Sequence, residues 1–248
     1  MRLLGGEGAG PLRRAFGYVL GFLLVAACAI LVLGLLYKFV PPVSTLMLGR
    51  WMTFRPVERM FVPLDAIAPT LGTAVIASED AGFCAHRGID WGALREVIED
   101  SEDDGPSRGA STIAMQTAKN VFLWPGRSYV RKALELPIAL YLDLVWGKRR
   151  VMEVYLNVAE WGDGIFGAEA AARRHFGKSA KNLTRGEAAL LAAALPNPRL
   201  RNAGRPSARH RALANRILAR MDRGGGARGC LQPARSAEGA SQSGREPV

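Results

Sequence analysis

The strongest pattern along the chain is a run of 23 uncharged residues between Arg14 and Lys38, AFGYVLGFLLVAACAILVLGLLY. At about 1.5 Å of rise per residue, such a run forms a helix of roughly 35 Å, long enough to cross a bilayer. Arg13 and Arg14 flank its N-terminal side, so the positive-inside rule puts residues 1–14 in the cytoplasm and everything after Lys38 outside. The alternative is a cleaved signal, or a lipoprotein signal ending at Cys28. The apolar run continues nine residues past Cys28, further than the about 7–15 apolar residues of a signal, which favours a retained span over 15–37.

Beyond the span, Pro41 and Pro42 break the helix, and residues 38–62 read as a juxtamembrane connector. Its Leu46, Met47, Leu48, Trp51, Met52 and Phe54 suit a stretch that rests on a bilayer surface. From 63 to 222 the polarity pattern is helical. Pro69 fits a first-turn position, Ser111 and Thr112 are good caps for a helix through Asn120, and Ser128 precedes a helical run to Trp146 that Gly147 stops. Val151, Val154, Tyr155 and Val158 repeat at helical spacing, and Thr184 with Glu187 forms a capping box. Pro137 removes a backbone donor inside the Ser128–Trp146 run and predicts a kink there. No period-2 strands stand out, so the expected class is mainly α. The acidic run Glu96, Glu99, Asp100, Glu102, Asp103 and Asp104 reads as a solvated, mobile loop. Residues 223–248, rich in Gly, Ser, Pro and Arg, cannot bury a core and are predicted to be disordered.

The chain's net charge of +11 changes this picture little, because of where it lies. From Arg199 onward eleven arginines face only Asp222, Glu238 and Glu246, so that stretch carries most of the excess and the body is near balance. A body without a basic, aromatic-interleaved stripe argues against nucleic acid; a basic segment beside a membrane is drawn instead to anionic and diphosphate-bearing lipids. The 248 residues suffice for one well-buried domain and one active site. Cys28, Cys84 and Cys230 are odd in number, far apart and without metal-site spacing, and are taken as incidental.

Three compact blocks carry candidate chemistry. The first, EDAGFCAHRGID at 79–90, has Glu79 and Asp80 at a predicted helix end, followed by Phe83 and His86. In the second, GASTIAMQTAKN at 109–120, Thr112, Gln116, Lys119 and Asn120 share a helical stripe beside Ser111. The third, RKALE at 131–135, sets Arg131, Lys132 and Glu135 within one turn. Each has an ordinary explanation: a solvated helix-end acid, a satisfied loop histidine, a polar face, or an i, i+4 surface pair worth a few tenths of a kcal/mol, on the order of 0.3. Together they offer a carboxylate to take a hydroxyl proton and cations to stabilise a departing phosphate.

In this order, after an anchor, the blocks resemble the bacterial peptidoglycan glycosyltransferase family, the module found alone in monofunctional biosynthetic transglycosylases and fused to a transpeptidase in class A penicillin-binding proteins. Glu79, Asp80, Phe83, His86, Gly88 and Asp90 meet its first motif, Gly109 through Asn120 its second, and Arg131, Lys132 and Glu135 its third. Residues 154–178 and 183–198 are similar to its structural blocks, while Pro137 departs from its pattern. The resemblance implies a lysozyme-like, two-lobed, mainly α fold with one N-terminal transmembrane helix, in a bacterial inner membrane with the catalytic domain in the periplasm. It implies polymerisation of lipid II into β-1,4-linked glycan with inversion and release of undecaprenyl diphosphate. Glu79 would be the general base and Glu135 the second acid. Lys119, Arg131 and Lys132 would hold the diphosphate, and Asp80, Phe83, His86, Ser111, Thr112, Gln116 and Asn120 would line the substrate site. The implied partners are lipid II, the growing strand, the membrane and other cell-wall synthesis or division proteins. No cofactor is required, although Mg²⁺ or Mn²⁺ can accompany a diphosphate; no metal-ligand motif is visible. Two other readings stay open: a lysozyme-type hydrolase, which also uses paired carboxylates, and an inactive anchored scaffold. A bifunctional transpeptidase does not fit, because none of the six lysines has a Ser three positions before it.

Overall fold

Pro69 opens the helix around which the fold is organised. In the computed structural model, which describes residues 11–104, 111–126, 128–223 and 229–232, Pro69 occupies the first turn of a helix Pro69–Glu79. There its missing N–H costs nothing. Residues Leu71 through Ile76 of this helix are buried on every side, as expected of a helix surrounded by others rather than lying on a surface.

The chain divides into two compact units, Met1–Pro42 and Val43–Val248. In the first, α1 (Pro11–Tyr37) is a single helix whose stretch Arg13–Tyr37 is long and apolar enough to cross a membrane. Its large apolar side chains, among them Phe16, Phe22 and Val25, are exposed, as they are in a helix whose solvent is lipid. Residues 1–10 of the expected cytoplasmic segment lie outside the described residues.

The second unit is mainly helical: α2 (Thr45–Met52), α3 (Pro69–Glu79), α4 (Trp91–Asp104), α5 (Ile113–Phe122), α6 (Tyr129–Val158), α7 (Ala168–Phe176), α8 (Arg185–Ala194) and α9 (Ala208–Arg223). The capping chemistry read from the sequence sets the boundaries. Thr112 Oγ1 accepts from Met115 N, Ser128 Oγ from Arg131 N, and Thr184 with Glu187 closes a reciprocal capping box. Helices α8 and α9 pack on α3, and α6 packs along α5. The side-chain core, with Trp161, Tyr155, Phe83, Phe166, Leu71 and Met115 fully buried, lies between these elements.

The expected connector holds a helix, and several other expectations are corrected. The connector contains α2, capped by Ser44 Oγ and tied to the end of α5 by Thr45 Oγ1, which donates to the carbonyl of Leu123 at 2.6 Å. The acidic run belongs to α4, which continues through Asp104; Asp90 caps it through a 3.0 Å bond from Ala93 N, so the helix starts from a local signal. A small sheet also forms, in the order β1 (Glu58–Arg59), β3 (Ile165–Phe166), β2 (Glu160–Gly162), with β1 parallel and β2 antiparallel to β3. Strands of two or three residues are too short to show a period of two. The break in α6 falls at Gly147, whose φ of 68° is non-helical, and the backbone stays helical through Pro137. Pro137 and the carbonyl-bearing Ala133 one turn before it are both exposed, so the lost hydrogen bond leaves no buried acceptor without a partner.

The cysteines are not all incidental. Cys84 and Cys230 form a disulfide across 146 residues of sequence, leaving Cys28 free and exposed. Gly229–Leu231 is accordingly a turn of 3₁₀ helix rather than part of a structureless tail. Residues 224–228 and 233–248 of that tail lie outside the described residues.

Candidate active site

The three sequence blocks meet where α3 ends. Glu79 is the last residue of α3. One of its carboxylate oxygens, Oε2, accepts from Gln116 Nε2 at 3.0 Å, and Oε1 accepts from Ser78 Oγ at 3.1 Å. The Gln116 amide is itself oriented by the buried Tyr155, whose hydroxyl donates to Gln116 Oε1 at 3.1 Å. A phenol can only donate to that oxygen, so the amide N–H₂ is left facing Glu79. Sequence reasoning placed Tyr155 in a core stripe of α6; nothing in its spacing distinguishes a core tyrosine from one that orients a site residue.

Asp80 is buried. Its Oδ2 accepts from Ile113 N at 2.9 Å, satisfying a free donor at the start of α5, and its Oδ1 lies 2.8 Å from His86 Nε2. Phe83 is fully buried, edge-on to His86 and beneath the Lys148 ammonium, 4.8 Å from the ring centre. Thr112 Oγ1 donates to the carbonyl of Gly88 at 2.6 Å. Asp80, His86 and Thr112 therefore tie the block 79–90 to the start of α5, while Asp80 and Thr112 also border the hollow described below. Gly109, the first residue of the second block, lies outside the described residues.

The cations gather one turn further along α5 and on α6. Glu135 is almost fully buried and takes Arg131 Nη1 on one oxygen and Lys132 Nζ, at 3.0 Å, on the other. Lys132 Nζ also donates to Ser111 Oγ at 2.6 Å. The Arg131–Glu135 pair is thus no surface pair. Arg131 Nε is buried without a partner among the described residues, leaving an N–H for a further acceptor. Burial and then the charges of Lys119 and Arg131 push Lys132 down to about 8. Burial, with Arg131 next, also lowers Lys119, and the Glu79 carboxylate partly offsets this. Three cations in mutual repulsion, two of them paired with Glu135, form a positive site that an anion would relieve.

Two hollows open on this arrangement. One of about 330 Å³ is lined by Ser78, Glu79, Asp90, Ser111, Thr112 and, from α9, Arg220. The other, of about 260 Å³, is lined by Lys119, Asn120 and Arg131 together with Thr45, Leu46 and Trp124. Carboxylates and Arg220 thus face one space, and Lys119 and Arg131 the other. Around the second hollow the surface is apolar: Leu48, Trp51, Met52 and Phe54 at α2, Trp124, and Tyr129, Val130 and Leu134 on α6 are exposed. Neither Arg220 nor Ser78 was singled out in the sequence, where they look like ordinary helix-surface residues. Among the described residues no group of three His, Cys, Asp or Glu side chains comes together to hold a metal.

The family model described as Transglycosylase matches residues 47–222. Curated relatives carry the name Biosynthetic peptidoglycan transglycosylase. The one from Rhizobium meliloti (strain 1021) is 54% identical over 219 residues, 88% of this chain and 92% of its own. Those of Rhodospirillum centenum (strain ATCC 51521 / SW), 55% identical over 79% of this chain and 85% of its own, and Brucella suis biovar 1 (strain 1330), 52% over 75% and 84%, are similar to nearly the same extent.

Proposed function

The chain belongs to the transglycosylase family, and on that premise we propose that it is a peptidoglycan polymerase that joins lipid-linked disaccharide units, lipid II, into glycan strands. The observation that carries this reading is the division of charge along α5. Gln116 near its middle holds the Glu79 carboxylate, and Lys119, one turn on, lies within the electrostatic reach of Arg131.

Glu79 accepts the proton of the acceptor sugar's 4-hydroxyl as that oxygen attacks C1 of the strand-bearing sugar. The bond from C1 to the diphosphate breaks on the opposite face, so an α-linked diphosphate becomes a β-1,4 glycoside. Lys119, Arg131 and Lys132 take up the charge that develops on the leaving diphosphate. Glu135 keeps Arg131 and Lys132 aimed and moderates their repulsion. A lysozyme-type hydrolase has a protonated sugar oxygen as its leaving group and has no use for three converging cations.

The apolar rim at α2, Trp124 and the start of α6 suits a substrate whose diphosphate sits at a bilayer surface with its tail below. Arg13 and Arg14 before the span support a topology with the second unit outside the cytoplasm. The Cys84–Cys230 disulfide supports the same side, since such bonds persist in oxidising compartments. The deciding experiment supplies membrane-embedded lipid II to the full chain: polymer is expected, whereas cleaved glycan would indicate a hydrolase and no turnover a scaffold. A reporter fused after Val248 is expected to be active only in the periplasm, and cytoplasmic activity would overturn the topology.

A further inference from the structure

The block that follows Glu79 is tied down on two sides by different means. Toward α5 it is held by non-covalent bonds: Asp80 to Ile113 N and to His86, and Thr112 to Gly88. On its other side it carries Cys84, five residues after Glu79, bonded to Cys230. Cys230 belongs to a short segment, residues 229–232, that lies against the flank of α3. There Leu231 packs onto Gly72, where an added Cβ would come within 3.2 Å of its Cδ1. Arg149 donates to the Leu231 carbonyl while its other terminal nitrogen pairs with Asp65 at 2.8 Å.

These contacts are sparse. The segment borders a hollow of about 350 Å³ lined by Leu64, Ile67, Thr73 and Gln232 among others, and Gly229 and Gln232 are exposed. A half-buried leucine, the Arg149 bond and the packing of the turn on α6 offset part of the entropy of fixing these residues. The covalent bond adds to these contacts, and through it the segment bridges α3 near Gly72 to the turn beyond Glu79.

We propose that the Cys84–Cys230 disulfide is a redox-sensitive clamp that positions Glu79 for proton transfer, so that glycan polymerisation responds to the thiol–disulfide state of the compartment. This inference rests on the reading of Glu79 as the base. Both cysteines are half-buried, so a small or protein dithiol can reach the bond. Its thiolate attacks one sulfur to give a mixed disulfide, and its second thiolate displaces the remaining protein thiol. Two electrons and two protons pass to Cys84 and Cys230, and the dithiol becomes a disulfide. The reduced chain keeps its bonds to α5 but loses the outer tether of the 80–88 turn, which loosens the orientation of the Glu79 carboxylate. The cations on α5 and α6 are not linked through this bond and keep their hold on the diphosphate. Cys84 and Cys230 are therefore positioning residues, and their loss acts on kcat rather than KM.

The test uses the full chain carrying Cys28→Ser, so that no third thiol enters exchange or the thiol count, with completeness of reduction checked by thiol titration. Reduction is expected to lower kcat for membrane-embedded lipid II by about tenfold, the scale of loss that modest misplacement of a catalytic group produces. KM should stay unchanged, and reoxidation with diamide should restore kcat. The Cys84→Ser/Cys230→Ser double variant should sit at the reduced level and ignore dithiothreitol. Hydrogen exchange of amides 80–88 should quicken on reduction, independently of any turnover. Unchanged kcat in fully reduced protein overturns the proposal, as does a loss carried by KM or by unfolding seen in the thermal melt. Absence of polymer from the oxidised protein would defeat the reading of function alone, and the exchange comparison would then decide the clamp.

Discussion

Gln116 donates to Glu79 across 3.0 Å through its amide nitrogen, and the amide cannot turn away without losing the hydroxyl of Tyr155 on its oxygen. A carboxylate held by one amide and one serine hydroxyl, at the edge of an open hollow, keeps acceptor capacity free for a substrate proton. Glu79→Gln preserves shape but cannot take that proton. Polymer formation should fall by about 10²–10⁴, while binding of lipid II and the melting temperature hold. Measured together on the purified variant, near wild-type turnover would remove Glu79 as the base.

Lys132 gives the reaction a pH signature. Its pKa of about 8, lowered by burial and then by Lys119 and Arg131, means that its charge is present below that pH and lost above it. kcat/KM, which reports the free enzyme, should therefore decline as pH rises through about 8. Bound diphosphate favours the charged form, so kcat should decline at higher pH. Lys132→Arg keeps the charge throughout and should move the alkaline limb of kcat/KM upward; an unmoved limb would assign it to another group. For folding the sign is opposite. The folded chain holds this proton less tightly than the unfolded one, so between about 8 and the ordinary 10.5 the unfolded state binds more protons and the Lys132 contribution to stability rises with pH.

Glu135 differs from Glu79 in what its removal does to the fold. It is almost fully buried and accepts from both Arg131 and Lys132. Glu135→Gln leaves two cations without their counter-charge, at a cost of about 1–3 kcal/mol. The variant should melt several degrees lower than Glu79→Gln, and an inorganic diphosphate should restore part of the difference by supplying the missing charge. Equal melting temperatures in the two variants would mean that Glu135 is solvated in solution.

How far the sequence reaches depends on the range of each interaction. Thr112, Ser128, Thr184 with Glu187, and Gly147 act within a turn of their own helix, and their signals were readable. Glu79, Lys119 and Arg131 were readable as candidates because whole blocks of neighbouring residues carry the pattern. Contacts between distant segments were not. Cys84 finds Cys230 across 146 residues, and an odd cysteine count concealed the pair. Arg131 and Glu135 look like any surface i, i+4 pair until α5 and Ser111 pack over them. Strands β1–β3 hold by pairing across the chain, with only two or three residues each to display a period. The acidic run ending at Asp104 misled because its charge masked a helix started by the Asp90 cap.

Gly88 shows how little slack the first block has. Its φ of 76° lies in the left-handed region, and an added Cβ would sit 2.7 Å from the carbonyl oxygen of Ala139 and 3.1 Å from the Leu140 Cα. Both are backbone of α6, which cannot swing aside as a side chain would. Gly88→Ala therefore meets two penalties, the positive φ, at about 1–3 kcal/mol, and the forced separation of the 79–90 block from α6. The Gly88 carbonyl also accepts from Thr112 at 2.6 Å, so a shift at Gly88 pulls on the cap of α5, the helix that carries Gln116 and Lys119. Stability should fall by more than the φ term alone, and turnover should fall with it although no catalytic group has been altered. A Gly92→Ala control is apt, because its Cβ would meet only the Asp90 carboxylate, at 3.4 Å. If Gly88→Ala melts and turns over like Gly92→Ala, the close approach of this block to α6 does not exist in solution, and the route by which His86 and Asp80 reach α5 must be different.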